Sequence, residues 1–261
     1  MKNLVVGPGA MGFFLFLGFL SRLKKDGHLD DLEAFSGASA GALLGFMYCV
    51  TKGDLTKILD LSLEVPLKNV MKLNIKCLLK DYGLVSFTKF RKVLADVCRR
   101  FLEKDDVTFI ELFDFFPVKL HISSYCVDFM KTVYFSADTT PSMSVLDAVC
   151  ASVAVPFLFS SMKLSDGYNY IDGGAAETTP GAPFLGQNNV LAIKLGSTRA
   201  WEVRDLKTYA ISILYSTMKM RHVYDLPTLD LDSSDVDVYD FSASNEAKLR
   251  MFLKGWSQTF S

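Results

Sequence analysis

No charged side chain occurs between residues 4 and 20, directly after Lys2. Read as one helix, this run would be a signal peptide or a short membrane span. Gly7, Pro8, Gly9 and Gly12 stand at its front, where an uninterrupted helix is penalised. The pattern therefore divides into a strand over residues 2–6, a turn over 7–12, and a helix from 13 to about 23. A helix that is apolar nearly all round belongs in a core.

The same unit recurs. LEAFSG reads as a strand, Ser39 follows, and AGALLGFMYCV reads as a helix. Short apolar strands alternating with helices predict a parallel sheet with helical crossovers. Residues 54 to about 106 read mostly as helix. Phe87, Phe90, Val93, Leu94, Val97, Cys98 and Phe101 mark one core-facing side at spacings of three and four.

VKLHISSYCVD and KTVYFSAD read as neighbouring strands joined by a turn over 128–131. SVLDAVCASVAVPFLF begins helical and is expected to end at Pro156. YNYIDGG enters as a strand and breaks at Gly173 and Gly174, and NVLAIKLG is a further strand. Residues 201–222 read as helix, and the acidic LPTLDLDSSDVDVYDF as strand-like, with alternation in DVDVYDF. Ser244 is the expected N-cap of a last helix with Leu249, Phe252, Leu253 and Trp256 on its apolar face. The sum is one α/β domain over residues 1–261, a mainly parallel sheet covered on both faces.

The 28 basic and 29 acidic residues leave a net charge of −1, with no positive field suited to nucleic acid. Cys49, Cys77, Cys98, Cys126 and Cys150 are an odd, scattered set with no C-x-x-C pair. That argues against a disulfide framework or a zinc site and for a reducing compartment. His28, His121 and His222 lack metal-ligand spacing.

Residues 37–41, Gly-Ala-Ser-Ala-Gly, satisfy G-x-S-x-G between a strand and a helix. Gly37 and Gly41 permit the sharp turn that pushes a serine hydroxyl out of the fold, and the helix beyond aims its positive end at the site. The competing reading is an inert small-residue loop. A nucleophilic serine needs a base and donors for the oxyanion. Residues 7–12 supply a Gly-rich turn whose N–H groups can face an anion. Gly7, Gly9 and Gly12 also fit G-x-G-x-x-G, but Glu33, the acidic residue nearest the expected offset, falls just before the serine motif. For the base, Asp172 ends a strand beside two glycines, where desolvation would raise its proton affinity. A plain turn aspartate has the same signature. Ser39, Asp172 and His222 also occur in the order of a Ser-Asp-His triad, while His121 reads as a strand-face histidine.

Taken together, the Gly-rich turn, GASAG, DTTPSMSVLDAVCASVAVPFLF and YIDGGAAETTP resemble the patatin-like phospholipases in order and spacing, as does YGLVSFTKFRKVL. The resemblance spans most of the chain. It implies a three-layer α/β/α patatin-like domain that hydrolyses acyl esters of lipids without calcium or other cofactor. Carried over motif by motif, Ser39 is the nucleophile and Asp172 its base, Gly7, Gly9 and Ala10 form the oxyanion hole, and Gly173 and Gly174 complete the acid motif. The implied partner is phospholipid or another acyl lipid; without a clear signal or span in the sequence, a cytoplasmic protein that visits membrane surfaces is expected. Two departures stand out. In the family's G-G-G-x-[KR]-G turn, Pro8 replaces a glycine and Met11 the basic residue, and proline offers no N–H. Glu177, Thr178, Thr179 and Pro180 follow the DGG where the family often has an asparagine near a proline. The departures motivate a rival reading, a catalytically impaired lipid-binding or interaction protein on the same fold.

Overall fold

The computed structural model describes the chain apart from residues 66–69, 72–73, 75–81, 198–202, 204–207, 210–211, 214–215, 217–223 and 260–261. The opening run forms strand β1 (Asn3–Val6), a short 3-10 turn at Ala10–Gly12 and helix α1 (Phe13–Lys25). Strand β2 (Ala34–Ala38) and helix α2 (Ala40–Val50) repeat the unit, and α3 (Leu55–Glu64) follows. A short strand β3 (Gly83–Val85) precedes α4 (Phe87–Leu102) and α5 (Phe109–Phe115).

Strands β4 (Lys119–Cys126) and β5 (Lys131–Phe135) form the expected hairpin. Helix α6 (Val145–Ser152), strands β6 (Phe157–Phe159), β7 (Met162–Lys163), β8 (Asn169–Asp172), β9 (Val190–Gly196) and β10 (Thr228–Asp232), and helix α7 (Asn245–Ser257) complete the order. The main sheet runs β10-β9-β1-β2-β4-β8-β7, with β5 also on β4; β3 and β6 pair separately. From β10 to β4 every pairing is parallel, while β5, β7 and β8 add antiparallel ones.

Alternation along β1 divides the core. Leu4 and Val6 join the large cluster with α1, α2 and α6, whereas Val5 faces the other side with Ala34, Phe184, Val190 and Ala192. Phe13 to Leu20 and Leu23 of α1 are buried, so its apolar character is that of a core helix.

Four expectations change. The stretch 54–106 is interrupted by β3, because Gly83 pairs with Phe157 and a Cβ there would lie 2.0 Å from the Phe159 carbonyl oxygen. Helix α6 stops at Ser152, short of Pro156, and Phe157–Phe159 is strand. Of the strand-like LPTLDLDSSDVDVYDF, residues 228–232 form β10 while DVDVYDF forms turns, and there Val238 O accepts the Met11 N–H at 2.9 Å, bracing the Gly-rich turn. Ser244 does cap α7, accepting from Ala247 N at 3.2 Å. The buried side of α7, however, is Lys248, Met251 and Gly255, and Leu249 and Leu253 are exposed. Backbone contact sets that orientation: a Cβ on Gly18 would lie 1.9 Å from Phe252 O, and one on Gly255 2.0 Å from Leu15 O. The expected helix over 201–222 falls mostly outside the described residues.

Candidate active site

Strand β4 brings the two candidate side chains together. Its residues 119–123 pair with β2, residues 122–126 with β5 and residues 124–126 with β8. A strand has two edges, and β5 overlaps both β2 and β8 along β4. Strands β2 and β8 therefore share the opposite edge, end to end. Ala38 lies against Ser123 and Asp172 against Ser124. The parallel strand ends just before Ser39 where the antiparallel strand ends in Asp172.

Ser39 occupies φ 54, ψ −118, an unfavourable backbone conformation for a residue with a side chain. It is the N-cap of α2, a position from which a serine normally bonds the helix's own N–H groups. No such bond forms. Its Oγ instead donates to Asp172 Oδ2 at 2.6 Å. The turn is tight on both sides: a Cβ on Gly37 would meet the Gly41 backbone at 2.4 Å, and one on Gly41 would meet Val6 O at 2.1 Å. Gly41 thus seats α2 against the end of β1 and the start of the Gly-rich turn.

Asp172 is buried, and its other oxygen, Oδ1, accepts Gly174 N–H at 2.7 Å. Burial raises its pKa from 3.8 to about 7, against the opposing effect of the hydrogen bonds from Ser39 and Gly174. The carboxyl therefore changes charge near neutrality. Its backbone N–H donates to Ala154 O at 2.9 Å. A Cβ on Gly173 would lie 2.2 Å from Ser123 O, so the acid motif is pressed onto β4.

The Gly-rich turn lies beside both motifs. Pro8 packs on Gly174, where a Cβ would sit 2.5 Å from the proline Cβ. Gly7 differs from its expected role as an oxyanion donor, because its N–H is committed to Ile193 O at 2.9 Å as an extension of the sheet. The N–H groups of Gly9 and Ala10 have no hydrogen-bond partner among the described residues. Ala10 holds φ 46, a second non-glycine residue in the left-handed region at this site.

Sequence reasoning did not single out Ser152. Its Oγ accepts the Ser39 N–H at 2.9 Å and donates to Ser123 O at 2.6 Å, tying the serine turn to α6 and β4. Nor did it foresee the surroundings of Glu177. That carboxylate is buried and accepts hydrogen bonds from Tyr134 and, at 2.7 Å, from Tyr224. Burial, reinforced by the Glu177 charge, raises both phenols, Tyr224 to about 12. Two hydroxyls thus satisfy the buried carboxylate.

His121 is remote from this chemistry. It stands on β4 edge-to-face with Phe184, at 5.5 Å between ring centroids, in the cluster of the opposite sheet face. Burial lowers its pKa to about 4. His222 lies outside the described residues.

A mainly parallel sheet carrying a serine turn and a buried carboxylate at one end of its strands defines a three-layer α/β/α protein with a Ser-Asp pair. A model of the patatin-like phospholipases matches residues 4–185, and the chain belongs to that family. It is 26% identical to the probable lipid hydrolase 463L of Invertebrate iridescent virus 6, over 97% of this chain and 86% of that protein. Among solved structures, VipD from Legionella pneumophila superposes with a TM-score of 0.65 at 17% identity, covering 98% of this chain and 65% of that one. The type III effector ExoU of Pseudomonas aeruginosa gives 0.52 at 15% identity, covering 98% of this chain and 51% of that one. The chain thus spans about two thirds and one half of those two proteins, which share its fold.

Proposed function

We propose that this chain is a calcium-independent lipid acyl hydrolase of the phospholipase A or lysophospholipase type, working through a Ser39–Asp172 dyad. The carrying observation is the 2.6 Å hydrogen bond from Ser39 Oγ to a buried carboxylate. In this reading Asp172 takes the hydroxyl proton as Ser39 Oγ attacks the ester carbonyl. The oxyanion is held by the open N–H groups of Gly9 and Ala10. Collapse of the tetrahedral intermediate expels the alcohol of the lipid, which receives the proton from Asp172, and leaves an acyl-Ser39. Water then attacks the acyl carbon, Asp172 accepts its proton and returns one to Ser39 Oγ, and the fatty acid leaves.

Glycines at positions 37, 41, 173 and 174 serve this reading by letting the motifs approach closer than side chains allow. A relative described as a probable lipid hydrolase points the same way. The pairing of β1 with β9 joins early and late segments in one sheet, which supports one domain over residues 1–261. Four described cysteines are buried and unpaired, which fits a cytoplasmic protein. Among the described residues no helix is long and apolar enough to cross a membrane, and access to lipid is taken to be peripheral.

The test is fatty-acid release from mixed phospholipid vesicles with calcium chelated. Activity lost in both Ser39→Ala and Asp172→Asn supports the dyad. A folded wild type without activity favours the silent lipid binder suggested by Pro8 and Met11.

A further inference from the structure

Turns at strand ends are normally built from Gly, Asn, Asp and other polar residues. The β4–β5 turn reads Val127-Asp128-Phe129-Met130 instead. Val127 is 45%, Phe129 53% and Met130 79% exposed, and Met130 sits at φ 53, where glycine or asparagine is usual. Tyr168, in the adjoining β7–β8 connection, is 38% exposed and lies edge-on to Phe129 at 4.5 Å between centroids. Four apolar side chains thus form one exposed cluster on two neighbouring turns. Clusters of this kind on a protein surface mark contact sites.

The register fixes where this cluster stands. The dyad lies level with Ser123 and Ser124 of β4. From there β4 continues to Cys126 before turning, at roughly 3.3 Å per residue. The apolar tip therefore projects about 10 Å beyond the dyad, off the same end of the sheet.

Charge gives the tip its direction. Its two carboxylates are turned back onto neighbouring groups by hydrogen bonds while the lysines are not: Asp128 accepts Asn169 N–H at 2.6 Å, and Asp166 accepts Tyr168 N–H at 3.0 Å and the Tyr170 hydroxyl at 2.7 Å. Lys131 and Lys163 flank the tip, both exposed and without an ion-pair partner among the described residues. The Lys131 ammonium lies 5.3 Å from the Phe129 ring centroid. Apolar side chains at the apex with free cations beside them match a lipid surface, acyl chains inward and phosphates outward.

We propose that Val127, Phe129, Met130 and Tyr168 form the membrane-docking tip of this protein, inserting into the interface of an anionic phospholipid surface with Lys131 and Lys163 on the phosphates. The inference rests on the lipid-hydrolase reading for its biological sense, but its test reads binding rather than turnover.

Partition onto phosphatidylcholine vesicles with and without phosphatidylglycerol is measured by sedimentation in the Ser39→Ala background, which leaves the lipid intact. Phe129→Ser with Met130→Ser is expected to weaken partition by about tenfold per side chain. Lys131→Glu weakens it on the anionic vesicles alone, an effect that salt removes. Because the serine variant could misfold, a second arm uses Met130→Trp, which keeps the tip apolar. Lipids brominated on the acyl chain should quench its added fluorescence beyond that of the native tryptophans.

Unchanged partition in the folded serine variant, no vesicle binding by the parent protein, or no added quenching overturns the proposal. So does conversion of a dimer to a monomer by the serine variant with vesicle binding intact, which would make the tip a contact between copies. Vesicle binding without hydrolysis by the wild type would sink the functional reading and leave the docking tip standing. Hydrolysis with tip-independent binding would do the reverse.

Discussion

Asp172 accepts the hydroxyl hydrogen of Ser39 at 2.6 Å across 133 residues of sequence. The pair exists because β2 and β8 end against each other along one edge of β4. Neither side chain has to reach, and both termini are pinned by backbone contacts.

If Asp172 is the base, only its ionised form accepts the serine proton. With its pKa near 7, kcat/KM on a soluble short-chain ester should rise with pH through about that value and level off above it. A pH–rate profile flat between the ordinary aspartate range and neutrality would contradict this assignment.

The same shift predicts a stability trend. The folded protein holds Asp172 protonated up to about 7, whereas the unfolded chain ionises near 3.8. Its favourable contribution is complete below the unfolded value, declines as pH rises, and is gone above the folded value. The full span corresponds to about 4 kcal/mol. Asp172→Asn should therefore match the wild type near pH 4 and gain on it steadily toward pH 8, as read by denaturant unfolding. A constant difference across that range would count against a buried, proton-retaining Asp172.

Gly41→Ala would drive a methyl group to 2.1 Å from the Val6 carbonyl. The expected result is a loss of several kcal/mol in stability and near-complete loss of esterase activity, measured by unfolding and turnover. Wild-type stability in this variant would show that α2 can retreat from β1 without cost.

Ser152→Ala removes the acceptor for Ser39 N–H and a donor to Ser123 O, both buried. The expected cost is about 1–3 kcal/mol in stability. Because Ser152 acts through the position of Ser39, kcat should fall while KM stays nearly constant. A rise in KM alone would mean that Ser152 has no part in setting the serine turn.

Much of this architecture could be read from local pattern. The Gly-interrupted apolar run, the two strand-turn-helix units and the β4–β5 hairpin depend on neighbours in sequence, and residues 37–41 and 172–174 are local signatures. The pairing of Ser39 with Asp172 is not local, since it depends on how three strands share β4. Ser152 carried no signal, because a serine among small residues at the end of a helix is common and its role comes from two distant backbone groups. Periodicity misplaced the buried side of α7 because the Gly18–Gly255 approach, rather than the largest side chains, orients that helix. Gly7 looked like a donor by its place in the motif, yet the sheet extends one residue further and takes its N–H. Pro8, which by its missing N–H looked like a loss, packs on Gly174 beside the carboxylate.

The most direct measurement is labelling by an active-site-directed fluorophosphonate, mapped by peptide mass spectrometry. The account predicts a single adduct on Ser39, formed much more slowly in Asp172→Asn and absent in Ser39→Ala. Labelling at another residue, or no labelling of a folded wild-type protein, would contradict a Ser39–Asp172 nucleophile.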